Sequence, residues 1–457
     1  EMNIRDWSSD VCSSALYMVR FHDALDIATE FAGERLAGHD AVYLIRDLVG
    51  RVSIALNVSG EALADKATLS RELHARLGAF GPGPEEAVQS RDELLLPEEI
   101  FESREVITLQ EEPVLVYLVD RLMNNQDWLR RPLKEEAPLP TAVAFSLKGG
   151  VGRSTTFAAW AHYLAAQGHR VLAVDLDLEA PGLQSLLLRQ APEDRRRDRR
   201  PDYGVVDWLV EGRVGQADEG LFEDMLGSVD LPSGTPGEIR VIPAFGKETR
   251  DYVAKLGRAY LPVMGSDGVE RGFAEAVLEL LNAGRTRPEP FDVALLDARA
   301  GMHDIGAAAV TRLGAHAFLF ARDDPQTWTA YEHLFEHLRW SPAVEYGMPD
   351  RDLRWRMSMV GAMAGGTERD FENLRDRSYA AWQLLYDEEQ EPSPGTPEES
   401  DESMPHWPLP VYAAEELRGA SFHDPDNAPA PVVLEGAYRD FFDRAGSRLL
   451  GNSGSDE

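Results

Sequence analysis

Thr141–Thr156, TAVAFSLKGGVGRSTT, decides how the chain is read. Val143, Ala144 and Phe145 form a short apolar run of the kind that makes a buried strand. Lys148-Gly149-Gly150-Val151-Gly152 follows as a glycine-rich turn, and Arg153-Ser154-Thr155 opens a segment that continues to Ala166 with helical periodicity. Glycines let consecutive backbone N–H groups turn inward, and the helix N-terminus adds its dipole, so the stretch has the makings of a phosphate cradle.

Outward from it the pattern is α/β. Apolar strand candidates are Ala142–Leu147, Arg170–Leu176, Ile239–Ile242, Phe291–Asp297, Ala315–Phe320, Arg356–Ala362 and Leu409–Tyr412, with helical stretches at Ser154–Gln167, Gly268–Leu281 and Pro431–Leu450. Near-continuous apolar strands separated by helices imply a mostly parallel sheet with helices on both faces, whose ligands bind beyond the carboxyl ends of the strands. The polar candidates fall there. Ser154 offers a hydroxyl to a cation, Asp175 and Asp177 alternate across one strand end, and Asp297 closes another.

Three segments carry a family resemblance. Lys148–Thr156, KGGVGRSTT, resembles the deviant Walker A motif KGGxGK[ST]T of the ParA/MinD P-loop ATPases. Val174–Leu183, VDLDLEAPGL, resembles their Walker A′ segment, and Asp292–Gly301, DVALLDARAG, their Walker B and switch II segment. Weaker echoes are Val241–Ala244, Asp323-Asp324-Pro325 and Leu409–Val411 with the closing helix. The resemblance spans about residues 141–450. It implies ATP and Mg²⁺ as cofactors and an ATP-dependent homodimer acting as a switch. Lys148 is then the signature lysine that reaches the partner subunit's nucleotide, and Gly149, Gly150, Val151, Gly152, Arg153, Ser154 and Thr155 wrap the phosphates. Asp175 and Asp177 are the acidic pair of switch I, one of which positions the attacking water. Ser154, Asp297 and Asp175 serve the metal, Gly301 lies near the γ-phosphate, and Pro410 borders the adenine.

Two substitutions depart from the motif, and one family residue has no counterpart. Arg153 stands where the family has its P-loop lysine. A planar guanidinium is not a compact ammonium, so binding is expected to survive more readily than turnover, and hydrolysis to be slow. Ala298-Arg299-Ala300 replaces a proline-containing switch, with Arg299 open to a role as transition-state charge or as ion-pair partner. No Asn occurs in Met359–Gly366, where relatives place the one that reads adenine. The alternative to a slow ATPase is a nucleotide-binding scaffold that does not hydrolyse.

Composition narrows the partners. The 457 residues carry a formal charge of −33, which repels phosphate backbones and argues against nonspecific DNA binding; the one basic run, Arg195–Arg200, reads as a solvated loop. The single cysteine, Cys12, excludes iron–sulfur and zinc-thiolate chemistry and points to a reducing, cytoplasmic setting. No window is apolar enough to span a membrane, and the charges of the final helix nearly cancel, which argues against a basic membrane anchor. Residues 1–16 read as a non-native tail. Residues 17–137 read as a small α+β module, with His22–Ala37 and Glu61–Leu77 helical, a hairpin over Ala41–Val58 and a strand at Val114–Val119. This module is the expected contact for a protein partner. Pro132–Pro140 reads as a linker, and Asp387–Pro405 as a disordered acidic insertion.

Overall fold

A computed structural model describes residues 19–63, 65–103, 106–122, 125–194, 196–264, 270–344, 352–386, 396–424 and 428–451; the tail 1–16 lies outside them. The chain divides into two compact units, Glu1–Met123 and Asn124–Glu457.

In the first unit, helices α1 (Phe21–Arg35), α2 (Lys66–Leu77) and α3 (Glu98–Phe101) accompany five strands: β1 (Ala41–Arg46), β2 (Val52–Leu56), β3 (Val88–Ser90), β4 (Ile107–Gln110) and β5 (Leu115–Asp120). The sheet order is β3-β2-β1-β5-β4. The β1–β2 hairpin closes through Asp47, whose carboxylate accepts the N–H groups of Val49 and Arg51, and through Gly50 at φ +88°. Ala28, Phe31, Leu73 and Leu77 of α1 and α2 pack on Val42, Leu44, Ile54 and Val116. The expected helix Glu61–Leu77 begins only at Lys66, after a short 3₁₀ turn at Gly60–Ala62.

The second unit is built on an eight-stranded sheet in the order β15-β14-β13-β6-β12-β7-β9-β8. Its strands are β6 (Thr141–Ser146), β7 (Arg170–Asp175), β8 (Gly227–Ser228), β9 (Glu238–Ile242), β12 (Val293–Asp297), β13 (His316–Arg322), β14 (Met357–Ala364) and β15 (Leu409–Tyr412). A separate two-stranded ribbon pairs β10 (Val263–Met264) with β11 (Glu270–Arg271). Every neighbouring pair in the large sheet is parallel except β8–β9. Strand alternation divides the side chains between two cores. Ala142 and Ala144 of β6 pack with α4 (Arg153–Ala166) and α13 (Pro431–Leu450) on one face. Val143 and Phe145 pack on the other with α6 (Val205–Gly212), α9 (Phe273–Thr286), α11 (Pro325–Leu338) and α12 (Glu368–Tyr386). This is the mostly parallel sheet covered on both faces that the apolar strands imply. Shorter helices α5 (Leu183–Leu187), α7 (Glu219–Asp224), α8 (Tyr252–Ala259) and α10 (Asp304–Ala307) fill the connections.

Three further boundaries differ from expectation. Residues 125–137, expected to close the N-terminal module, pack in the second unit. Trp128 sets its ring edge-on to Phe145, Leu133 N–H donates to Arg312 O, and Arg312 pairs with the buried Asp127 at 2.9 Å. The helix expected from Gly268 starts at Phe273, because Gly272 N–H donates to Glu275 and caps it there. Of the acidic stretch 387–405, residues 387–395 lie outside the described residues. Residues 396–405 are irregular but anchored, since Tyr379 donates to Pro397 O, Met359 N–H to Pro405 O and Arg444 pairs with Glu402.

Candidate nucleotide-binding site

Parallel register gathers the expected residues at one edge of the sheet. Asp297 on β12 lies opposite Asp175 on β7 and Ala144 on β6, so two carboxylates stand on adjacent strands beside the loop that leaves β6. The loop is open. Gly150 and Gly152 sit at φ +71° and +91°, conformations that favour glycine, and side chains at 149, 150 and 152 would meet nothing within 4 Å. Val151 turns inward into the core under α4 and anchors the loop. Ser146 Oγ donates to Lys148 O at 2.6 Å, and Gly301 N–H donates to Ser146 O at 2.8 Å, which places Gly301 against the base of the loop. Thr155 lies on the first turn of α4. Its successor Thr156 is buried and donates back to Gly152 O.

The acids are deeply buried and play different parts. One Asp175 oxygen accepts from Asp177 N–H, and the other from Gly182 and Leu183 N–H at 2.9 and 3.0 Å. Asp175 therefore shapes the turn that follows β7. Burial and the facing charge of Asp297 push its carboxyl well above the usual range. Both Asp297 oxygens are buried with no hydrogen-bond partner among the described residues. Burial raises its pKa, against the opposing pull of Arg153 and of the nearby Ser154 hydroxyl, which falls short of hydrogen-bond geometry. Asp177 accepts from Ala180 N–H.

Two cations enter this cluster differently. Arg153 is only 7 % exposed, and its guanidinium turns to the acids, with Nη2 3.6 Å from Asp177 and Nε 4.0 Å from Asp297. Lys148 points elsewhere, to Asp324 at 2.6 Å. Asp324 caps α11 by accepting Thr327 N–H, with Pro325 at the first helical position. As the partner of Lys148, Asp324 was missed in the sequence reading; the Asp-Pro pair after an apolar strand was its signal. Arg299 pairs with Glu179 at 2.7 Å, and Glu179 also accepts from Tyr260. Tyr252 of α8 donates to Leu178 O, so α8 and the segment after it hold down the 177–183 turn. Pro410 is not brought to the loop. It lies on the edge strand β15, three strands from β6, or roughly 14 Å at ordinary strand spacing.

The residues fit one expected ligand and not the other. Open glycines at a helix N-terminus fit phosphate oxygens. The set proposed for a divalent cation does not fit in this arrangement, because Asp175 is spent on backbone donors. Asp297 shares its space with the Arg153 guanidinium. Among the described residues no cluster of three or more His, Cys, Asp or Glu is arranged to hold a metal ion. Within the basic run, Arg199 pairs with Asp230 and Arg200 with Asp198. No helix among the described residues is long and apolar enough to cross a membrane.

The family comparison agrees with the motifs. Residues 142–363 match the family model CbiA, the CobQ/CobB/MinD/ParA nucleotide binding domain. Among solved structures, pNOB8 ParA is 17 % identical, covering 69 % of this chain and 100 % of that one at a TM-score of 0.43. MinD of Pyrococcus horikoshii OT3, complexed with Mg-ADP, is 17 % identical over 69 % of this chain and 100 % of that one, with a TM-score of 0.40. Apo McdA of Cyanthece is 14 % identical over 68 % and 98 %, also at 0.40. Comparison with the curated proteins gives no match. By its motifs and this match, the segment 142–363 is a ParA/MinD-like P-loop domain of the CobQ/CobB/MinD/ParA nucleotide-binding kind.

Proposed function

We propose that this chain binds ATP on the loop from Lys148 to Thr155 and works as a nucleotide-dependent dimeric switch toward a protein partner. The observation that carries the reading is the convergence of an open glycine loop with Asp175, Asp177 and Asp297 at the ends of three adjacent strands. Lys148 supports the switch. Its ammonium is only part-buried and is tied to Asp324 by a pair that another charge can displace, which leaves it available to a second subunit's phosphates. The N-terminal unit, residues 17–137 as read from sequence and ending by 123 in the fold, is the candidate for the partner contact.

Hydrolysis is proposed to be slow. Arg153 is longer and planar where the motif has lysine, and it rests on Asp177, one of the two acids implied to position water, and on Asp297. That placement also favours the second reading, a nucleotide-binding scaffold without turnover. The Mg²⁺ implied by the resemblance finds Ser154 and Asp297 as donors only with Arg153 withdrawn.

Light scattering with and without ATP tests the switch: wild type shifts to dimer, and Lys148→Ala stays monomeric. A chain that is monomeric in both conditions overturns the dimer reading. Phosphate release from wild type, Lys148→Ala and Asp177→Asn separates enzyme from scaffold, because equal background in all three leaves only the scaffold.

A further inference from the structure

We propose that Arg153 takes the part of the divalent cation at this site, bridging Asp177 and Asp297 to the phosphates so that nucleotide binds without a metal. The inference rests on the nucleotide-binding reading above and concerns how that site obtains its positive charge.

Position comes first. The guanidinium is inside the acid cluster, with Nη2 toward Asp177 at 3.6 Å and Nε toward Asp297 at 4.0 Å, on a side chain that is 8 % exposed. Chemistry comes second. Guanidinium is always ionised and presents five N–H donors in a fixed fork, so one group can face carboxylates on one edge and phosphate oxygens on another. Lysine gathers its three donors on one nitrogen and so does not present two separate donor edges.

The third observation is an unmet donor. Arg153 Nη1 is buried with no acceptor among the described residues. A buried unpaired donor is costly, and a charged one more so. Arg153 is the first residue of α4, directly after the loop whose glycines face open space, so a phosphate held on that loop lies next to the guanidinium and supplies the acceptor. Charge-assisted bonds of this kind are the strong ones.

The alternative occupant has little room. Magnesium demands near-ideal octahedral oxygen geometry and keeps several waters. Here the Asp175 oxygens are taken by the N–H groups of Asp177, Gly182 and Leu183. The two free oxygens of Asp297 already face a cation.

The test is binding of a fluorescent ATP analogue to the full chain, in EDTA and in excess Mg²⁺. Wild type is expected to show dissociation constants within about threefold of each other, whereas Arg153→Lys loses about tenfold or more of its affinity in EDTA. Circular dichroism confirms that the variant is folded, and the wild-type comparison stands without it. Wild-type binding that collapses about tenfold in EDTA overturns the inference and leaves the nucleotide-binding reading intact. Metal-indifferent binding in both proteins removes Arg153 from the role. No binding under either condition overturns both.

Discussion

Lys148 and Asp324, 176 residues apart in sequence, meet at 2.6 Å across the ends of two adjacent strands, β6 and β13. The pair joins the loop to the start of α11, because the same carboxylate caps that helix. Burial tends to raise the pKa of Asp324, and Lys148 and Thr327 together overcome it, holding it down to about 2.

The two duties of Asp324 separate by substitution. Asp324→Ser keeps a capping side chain and frees Lys148, while Asp324→Ala loses both. Loss of the cap is expected to cost about 1 kcal/mol, and loss of the part-exposed pair between 0 and roughly 1 kcal/mol. In urea unfolding the serine variant should stay near wild type and the alanine variant fall below it. With ATP, the serine variant should dimerise at lower protein concentration than wild type. Unchanged dimerisation would mean that the pair does not restrain Lys148.

The glycine loop gives a backbone prediction. At φ +71° an alanine at 150 is strained by roughly 1–2 kcal/mol although nothing crowds it. Gly150→Ala should therefore weaken nucleotide binding through the shape of the loop, with a similar loss of stability. Gly149→Ala, at a position without positive φ, should be far milder in the same assays.

The segment 125–137 can be checked by breaking its buried pair. Arg312 joins Asp127 at 2.9 Å and Glu275 at 2.7 Å, with about a tenth of the Arg312 and Asp127 side chains exposed. Burial already raises the pKa of Asp127 despite this arginine. Removing one partner of a buried pair typically costs roughly 3–5 kcal/mol, and Arg312→Ala should fall in that range. A fragment starting at 125 should unfold cooperatively on heating, and one starting at 138 should be markedly less stable.

Two histidines set an acid limit on stability. Burial pushes His162 down to about 4, and burial with the charges of Arg448 and Arg356 pushes His316 down to about 3. Both rings stay neutral in the folded chain while the unfolded chain protonates them near pH 6.5. Their contribution is complete above that pH and is lost as pH falls toward the folded values, at up to ~1.4 kcal/mol per pH unit for each ring. His316 shares a hydrogen bond with Ser358 at 2.8 Å, so His316→Asn should keep a polar partner and remove one ring's share of the slope. Urea titrations between pH 5 and 7 measure it.

The parts legible in the sequence were those with strong local signals. Strands β6, β7 and β12 are apolar runs because both sheet faces cover them, and α13 carries its stripe through Tyr438, Phe441 and Ala445. Other elements were missed for physical reasons. Helix α8 is eight residues long, contains Gly257 and buries only Ala259. Helix α12 has helical spacing through Leu374, Ser378, Ala381, Trp382 and Leu385, but a serine and many charges obscure it. The proline-rich run 132–140 reads as a domain break, which assigns residues 125–137 to the N-terminal module, yet Trp128 inserts into the core of the second unit. The order of the sheet, and with it the meetings of Asp175 with Asp297 and of Lys148 with Asp324, depends on chain crossings that local periodicity does not encode.

The turn held by Asp175 changes how a defective mutant should be interpreted. Its carboxylate gathers three backbone N–H groups from residues 177, 182 and 183. An inactive Asp175→Ala protein would thus have lost the contour of a loop before it lost a chemical group. Genetic complementation that treats position 175 as a clean catalytic knockout would confuse architecture with reactivity. Asp177, with a single backbone bond to Ala180, is the better place to ask what a carboxylate does here.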